Sequence, residues 1–290
     1  MASLSIHRTN SIATLTIDQP GGKVNVLGRA LWTEFAALFR DLSGQRDIRG
    51  LVIESAKPGN FIAGADLKEI AQARDPSETR DLIELGLGTL DTLEKLPFPT
   101  VACIDGAALG GGLEVALACD FRLAGTNPKV KLGLPEVTLG LIPGWGGTQR
   151  LPRLIGPTSA IEMLLQNLQL DAEAARVRGL VSKVVPSENL SVEAQRVLEE
   201  VGDNRTWRAQ RERKSRPLEI DSADALNALR DTIPAGPQRL AALTALDVLA
   251  KGCLLPLSDA LRLETEAFIR VAGSREAAQL IADFFASRKK

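Results

Sequence analysis

Short apolar runs with strand character alternate with longer stretches of helical spacing through the first two-thirds of the chain, and this alternation restricts the fold more than any other feature. Leu4-Ile6 and Ala13-Leu15-Ile17 show the two-residue period of paired strands, and Gly21-Gly22 separates them from a helical run over 27–42. The cycle then recurs. Leu51-Val52-Ile53 predicts a strand, Gly59 and Gly64 punctuate a loop, 83–96 carries helical spacing, and Val101-Ala102-Cys103-Ile104 returns to strand. A third cycle opens on Gly110-Gly111-Gly112, continues as a helix over 113–119 and reaches a strand near Phe121-Arg122-Leu123. Strands that alternate with helices imply α/β layering. Beyond about Val184 the pattern turns mostly helical, over 193–201, 223–229, 240–250 and 261–271. The expected division is a core over 1–186 and a helical extension over 187–290, with the boundary near Pro186.

Composition narrows the function classes. Charged residues make up 24% of the 290, yet the net charge is only −1, so no global field draws the chain to nucleic acid or an anionic membrane. With His7 as the single histidine, a histidine-rich metal site or a Ser-His-Asp triad is hard to assemble, and no metal is expected. Cys103, Cys119 and Cys253 lie far apart in apolar surroundings, which predicts buried thiols in a reducing compartment rather than a disulfide framework. The N-terminus lacks a signal pattern and no apolar stretch is long enough to cross a bilayer. The expectation is a soluble, intracellular protein. The basic stretch Arg205, Arg208, Arg211, Arg213, Lys214 and Arg216 can be read as a phosphate contact, although such runs are more often a solvated face or a linker.

Two places can carry chemistry. Glycines at 110–112 followed by Leu113-Glu114 join a backbone open to close approach with a helix start whose free N–H groups favour developing negative charge. Three glycines before a helix also serve tight packing, so the run alone does not establish an oxyanion site. Glu136 sits after Pro135 and before the apolar segment over 137–142, where burial would raise its pKa and suit it to proton transfer; a glutamate after a proline turn can equally be solvated. Gly144-Trp145-Gly146-Gly147 lacks the third spaced glycine of a dinucleotide fingerprint, and no Gly-Lys-Ser/Thr follows Gly112 as a phosphate loop requires. A two-carboxylate glycosidase is disfavoured by the glycine pattern, the 4% aromatic content and the absence of tyrosine.

Taken together, Phe61-Ile62-Ala63-Gly64-Ala65-Asp66, Ala108-Leu109-Gly110-Gly111-Gly112-Leu113-Glu114 and Leu134-Pro135-Glu136 through Gly144-Trp145-Gly146-Gly147-Thr148-Gln149-Arg150 resemble the ordered motifs of the enoyl-CoA hydratase/isomerase, or crotonase, family. Gly-Gly-Gly-Leu-Glu is especially similar to the hydratase portion of multifunctional fatty-acid oxidation α-subunits. The resemblance implies an α/β fold, a crotonase-like spiral of repeated ββα units with a helical C-terminal region, assembled as a homo-oligomeric trimer or hexamer. It implies that Ala65 and Gly111 supply the two backbone donors of an oxyanion hole, and that Glu114 and Glu136 form the acid/base pair. It further implies that Gly144 holds the reacting water and that backbone around Ala63, Ala65 and Asp66 meets CoA. Coenzyme A would arrive as part of an acyl-CoA thioester substrate, with no other cofactor.

The residue types suit such a reaction. Adding water across a 2-enoyl thioester places enolate charge on the thioester oxygen, which two preorganised donors stabilise, while one carboxylate deprotonates water and the other delivers a proton to the α-carbon. Glu114 is assigned to the water and Glu136 to the α-carbon. The alternatives are a Δ3-Δ2-enoyl-CoA isomerase and a non-catalytic acyl-CoA-binding subunit. Trp145 stands where short-chain hydratases often carry a small residue, and the ending Phe284-Phe285-Ala286-Ser287-Arg288-Lys289-Lys290 is similar to the junction of the multifunctional proteins into a dehydrogenase domain. A separate dehydrogenase partner and a cytoplasmic or mitochondrial-matrix location fit that likeness.

Overall fold

The alternating residues near the N-terminus form strands β1 (Leu4–Thr9) and β2 (Ile12–Ile17), paired antiparallel with Leu4 opposite Ile17 and Thr9 opposite Ile12. The two-residue turn between them needs positive φ, which Asn10 adopts at 55°. This hairpin opens a computed structural model that describes residues 2–73, 75–204, 206–218 and 229–288.

The elements continue as α1 (Arg29–Ser43), β3 (Gly50–Ser55), β4 (Gly59–Ile62), α2 (Leu67–Gln72), α3 (Pro76–Glu94), β5 (Thr100–Ile104) and β6 (Gly106–Leu109). Then come α4 (Gly111–Ala118), β7 (Phe121–Gly125), β8 (Lys131–Gly133), a 3-10 turn over Glu136–Leu139, α5 (Gly147–Ile155), α6 (Pro157–Leu165) and α7 (Ala172–Val177). The rest comprises β9 (Lys183–Val185), α8 (Leu190–Asn204), α9 (Thr206–Ser215), α10 (Arg239–Cys253), α11 (Leu257–Ala272) and α12 (Arg275–Ser287). Contacts divide the chain into two compact units. The first comprises Met1–Ala65, Leu85–Leu132 and Leu170–Arg213; the second comprises Asp66–Glu84, Gly133–Gln169 and Lys214–Lys290.

In the first unit a six-stranded sheet runs in the order β1-β2-β3-β5-β7-β9, parallel after the initial hairpin. A smaller sheet has the order β4-β6-β8. After the initial hairpin, the pairs β3-β4, β5-β6 and β7-β8 each send the first strand to the large sheet and the second to the small one, which is the expected spiral. Leu51, Val52 and Ile53 are fully buried, as a strand covered on both faces requires. Leu190, Ala194, Val197 and Leu198 form one stripe of α8 and pack against Ile12, Val52, Val101, Cys103 and Leu123 of the large sheet.

That stripe governs the organisation near residue 186. Because α8 covers the sheet, residues up to Arg213 belong with the first unit, so the compact units do not part at Pro186. The segment read as a loop between Gly59 and Gly64 contains β4, and the helix read over 83–96 starts earlier, at Pro76, a residue suited to a first helical turn. The helix expected over 223–229 lies almost wholly outside the described residues. Within the basic stretch, Arg211 donates to Asp120 and to the carbonyls of Leu96 and Phe98 and lies over the Trp207 ring, an anchoring role, whereas Arg205 lies outside the described residues.

In the second unit α5 and α6 meet at Gly156 and pack with α10 and α11. α12 comes close to the 3-10 turn at Gly140, whose φ is 70° and where a Cβ would lie 2.9 Å from the Cα of Ala277. Cys103, Cys119 and Cys253 are buried free thiols, as expected. Among the described residues no helix is long and apolar enough to cross a membrane.

Candidate active site

The glycine corner lies in the first unit, where β4 and β6 run parallel with Ile62 beside Ala108. Both chains leave the sheet at the same edge, so the segment 63–65 and the start of α4 are neighbours. Gly64, at φ 123°, places its Cα so that a Cβ would be 3.3 Å from the carbonyl oxygen of Leu109. Gly110 has φ 53° and ψ −127°, a conformation that only glycine adopts readily. A Cβ on Gly112 would fall well inside contact distance of the Ile62 carbonyl oxygen, so the approach of the helix start to β4 requires glycine there. The first bonds within α4 are donated by Leu113 and Glu114 to the carbonyl of Gly110, which leaves the Gly111 N–H ahead of the helical ladder.

Asn25 fixes the other side of this corner. It is fully buried; its amide nitrogen donates to the Ser55 hydroxyl and the Phe61 carbonyl, and its side-chain oxygen accepts from Gln19 N–H. Its carbonyl accepts from Ala63 N–H at 2.8 Å, and two residues on Leu27 N–H donates to the Gly64 carbonyl at 2.8 Å. Ala63–Ala65 is thereby clamped to a neighbouring segment. Glu114 is 1% exposed in the first turn of α4, a helix whose eight residues are all buried. Its far end is capped by buried Arg122, which donates to the carbonyls of Ala116 and Cys119.

Glu136 and Gly144 lie in the second unit. Glu136 starts the 3-10 turn after Pro135 and is half-buried, with Oε2 shielded and without a hydrogen-bond partner. Burial pushes its carboxyl up to about 8, the direction that the apolar surroundings of residue 136 predict, and the charge of Glu264 adds to the effect. Gly144 is backed by Ile83 and Phe268, whose side chains a Cβ would meet at 2.8 and 2.9 Å. Gly146, at φ 100°, turns the chain into α5. Asp66 starts the Asp66–Glu84 segment of this unit, and its carboxylate caps α2 by accepting from Lys68 N–H.

Sequence reasoning missed Glu264. It is fully buried on α11 and accepts from the N–H of Gly146 at 2.5 Å, from the N–H of Thr148 at 2.9 Å and from the Thr148 hydroxyl. The signal was available: Ala260, Glu264, Phe268 and Val271 make one helical stripe, and a carboxylate on an otherwise apolar stripe has to have partners.

The pattern of motifs is matched by a family model. Residues 7–227 fit the model described as "Enoyl-CoA hydratase/isomerase". The chain belongs to the enoyl-CoA hydratase/isomerase family. A fatty acid oxidation complex subunit alpha from Aliivibrio fischeri is 41% identical over 95% of this chain, and the match spans about 40% of that relative's length. Among solved structures, an enoyl-CoA hydratase from Bacillus anthracis is similar with a TM-score of 0.65 and 29% identity, covering 99% of this chain and 97% of that one. The structure of Pseudomonas aeruginosa DspI has a TM-score of 0.66 and 31% identity, covering 81% of this chain and 90% of that one. The ββα spiral is therefore the fold of an enoyl-CoA hydratase/isomerase family member. Ala65, Gly111 and Glu114 belong to the first unit, while Glu136 and Gly144 belong to the second.

Proposed function

We propose that this chain hydrates 2-enoyl-CoA thioesters in fatty-acid β-oxidation. Glu114 takes a proton from water as its oxygen bonds to the β-carbon. The N–H groups of Ala65 and Gly111 hold the enolate charge on the thioester oxygen, and Glu136 gives its proton to the α-carbon. Water has then been added across the double bond, leaving Glu114 protonated and Glu136 ionised until solvent resets both. Gly144 N–H orients the water, and backbone near Ala63, Ala65 and Asp66 meets the CoA portion, so the substrate supplies the only coenzyme. A homo-oligomer and a separate dehydrogenase, acting on the hydroxyacyl product in the cytoplasm, belong to the same proposal.

The observation that carries this reading is the shielded Oε2 of Glu136, which has no hydrogen-bond partner. Donation to carbon at neutral pH needs a carboxylic acid that keeps its proton, and burial holds Glu136 in that form, with a carboxyl raised to about 8. The glycine corner supports it, because a helix start with an N–H ahead of its ladder is suited to a developing oxyanion. The resemblance to a fatty acid oxidation complex subunit supports the pathway.

The test is incubation with 2-enoyl-CoA and 3-enoyl-CoA substrates followed by mass analysis. Hydration adds one water to the 2-enoyl substrate, isomerisation of the 3-enoyl substrate leaves the mass unchanged, and a binding subunit changes neither. Glu114→Gln and Glu136→Gln are each expected to lose about a hundredfold or more of hydration while still binding the thioester. Near-normal turnover in either variant removes that residue from the mechanism.

A further inference from the structure

We infer that Glu264 is a positioning residue that takes the single negative charge of a buried glutamate pair, leaving the proton on Glu136 while its carboxylate locks the Gly146–Thr148 turn. This rests on the assignment of Glu136 as proton donor. It adds a reason why that donor stays protonated.

The two carboxyls have opposite surroundings. Glu264 sits at the start of α5, where Gly146 N–H, Thr148 N–H and the Thr148 hydroxyl all point to it and the Arg150 guanidinium adds positive charge. Arg150 is itself held in place by donating to the Trp145 carbonyl at 2.7 Å. Donors and a cation stabilise the ionised form. Glu136, by contrast, has one shielded oxygen with no donor, and its own backbone N–H is the donor that stabilises its charge. When two such groups share a low-dielectric region, they do not both ionise readily, and the charge settles where the donors are. Burial moves both carboxyls upward, and at Glu264 the donors and the Arg150 charge oppose that rise.

Among the described residues, Glu264 is the charge that acts on Glu136. Of the charged groups on the elements packed against its 3-10 turn, Arg275, Glu276 and Asp283 of α12 are exposed, and so is Lys251 of α10. Also on α10, Asp247 pairs with Arg230, and Arg239 donates to the Ile233 carbonyl. Glu162 is the half-buried charge of α6, and Glu264 is the ionisable neighbour that acts on Glu136. The same helix α11 places Phe268 against Gly144, one turn on from Glu264, so the carboxylate and the packing fix one loop together.

The test reads the proton directly, by infrared difference titration of protonated carboxyl groups in the purified protein without substrate, so its outcome is independent of any hydratase assay. Wild type is expected to hold a protonated buried carboxyl at pH 7, and Glu136→Gln to lose it. Glu264→Gln should retain it with a midpoint lower by about one pH unit, since a like charge has been removed. Thr148→Val, which keeps both carboxyls but removes a donor to Glu264, weakens the charge held there and should move the midpoint in the same direction by a smaller amount. Downward shifts in both variants support the inference, and either variant suffices if the other does not fold. Loss of the signal in Glu264→Gln but not in Glu136→Gln would place the proton on Glu264. That result, or an unmoved midpoint in a folded variant, overturns the assignment.

Discussion

Replacing Glu136 with glutamine should make the protein more resistant to unfolding at alkaline pH even as it removes the proposed proton donor. A carboxyl whose pKa is raised on folding contributes stability that is complete below its ordinary value, and this is lost as pH climbs from 4.5 through about 8. At about 1.4 kcal/mol per pH unit, that span sets a ceiling of about 5 kcal/mol. Part of Glu136 still faces solvent, so screening reduces the expected effect to about 1–3 kcal/mol. Glutamine mimics the protonated form and never ionises. It leaves an amide donor where Oε2 has no partner, but that cost is the same at every pH. The informative quantity is therefore the difference in melting temperature between variant and wild type, measured at pH 5 and again at pH 8.5. The variant should gain about 4 °C or more relative to wild type between the two conditions. Parallel pH profiles for the two proteins would refute the reasoning, because they would mean that Glu136 titrates alike folded and unfolded.

Other perturbations probe the frame around the site. Gly112→Ala drives a methyl into the Ile62 carbonyl and should cost about 1–3 kcal/mol in urea unfolding, together with most of the activity. Arg211→Met leaves buried Asp120 without its cation, for a loss of about 3–5 kcal/mol, whereas Arg80→Met removes an exposed pair with Glu266 and should leave the urea midpoint nearly unchanged. A fragment ending near Pro186 lacks α8 and exposes Val52, Val101 and Leu123, so light scattering should report aggregation and no turnover should survive. A soluble, active fragment would show that α8 is dispensable.

The large sheet was legible because its strands obey simple rules. Leu51-Val52-Ile53 is apolar on both faces, and Ala13, Leu15 and Ile17 alternate. The small sheet escaped notice for a physical reason. β4 and β6 have four residues each and lie so near one another that a Cβ on Gly106 would strike the Gly59 backbone, so the residues that permit this approach also erase the strand signature. Helices over 147–177 went unread because glycines and Pro152 interrupt their spacing. At the site, the glycine run and the apolar surroundings of Glu136 were visible as chemistry. The partner of Glu136 was not, because Glu264 lies more than a hundred residues further along the chain and only the folded α11 brings it within electrostatic reach.

The way the backbone alternates between the two compact units has a kinetic consequence. It passes from one to the other after Ala65, Glu84, Leu132, Gln169 and Arg213, so neither unit is a continuous stretch of sequence. During synthesis the first unit waits for α8 and α9 to emerge before its sheet is covered, and the second waits for the last helices. Nascent chains of intermediate length would carry uncovered parallel strands, the kind of surface on which chaperones act. Folding speed should thus be limited by closing these long loops rather than by forming any single helix.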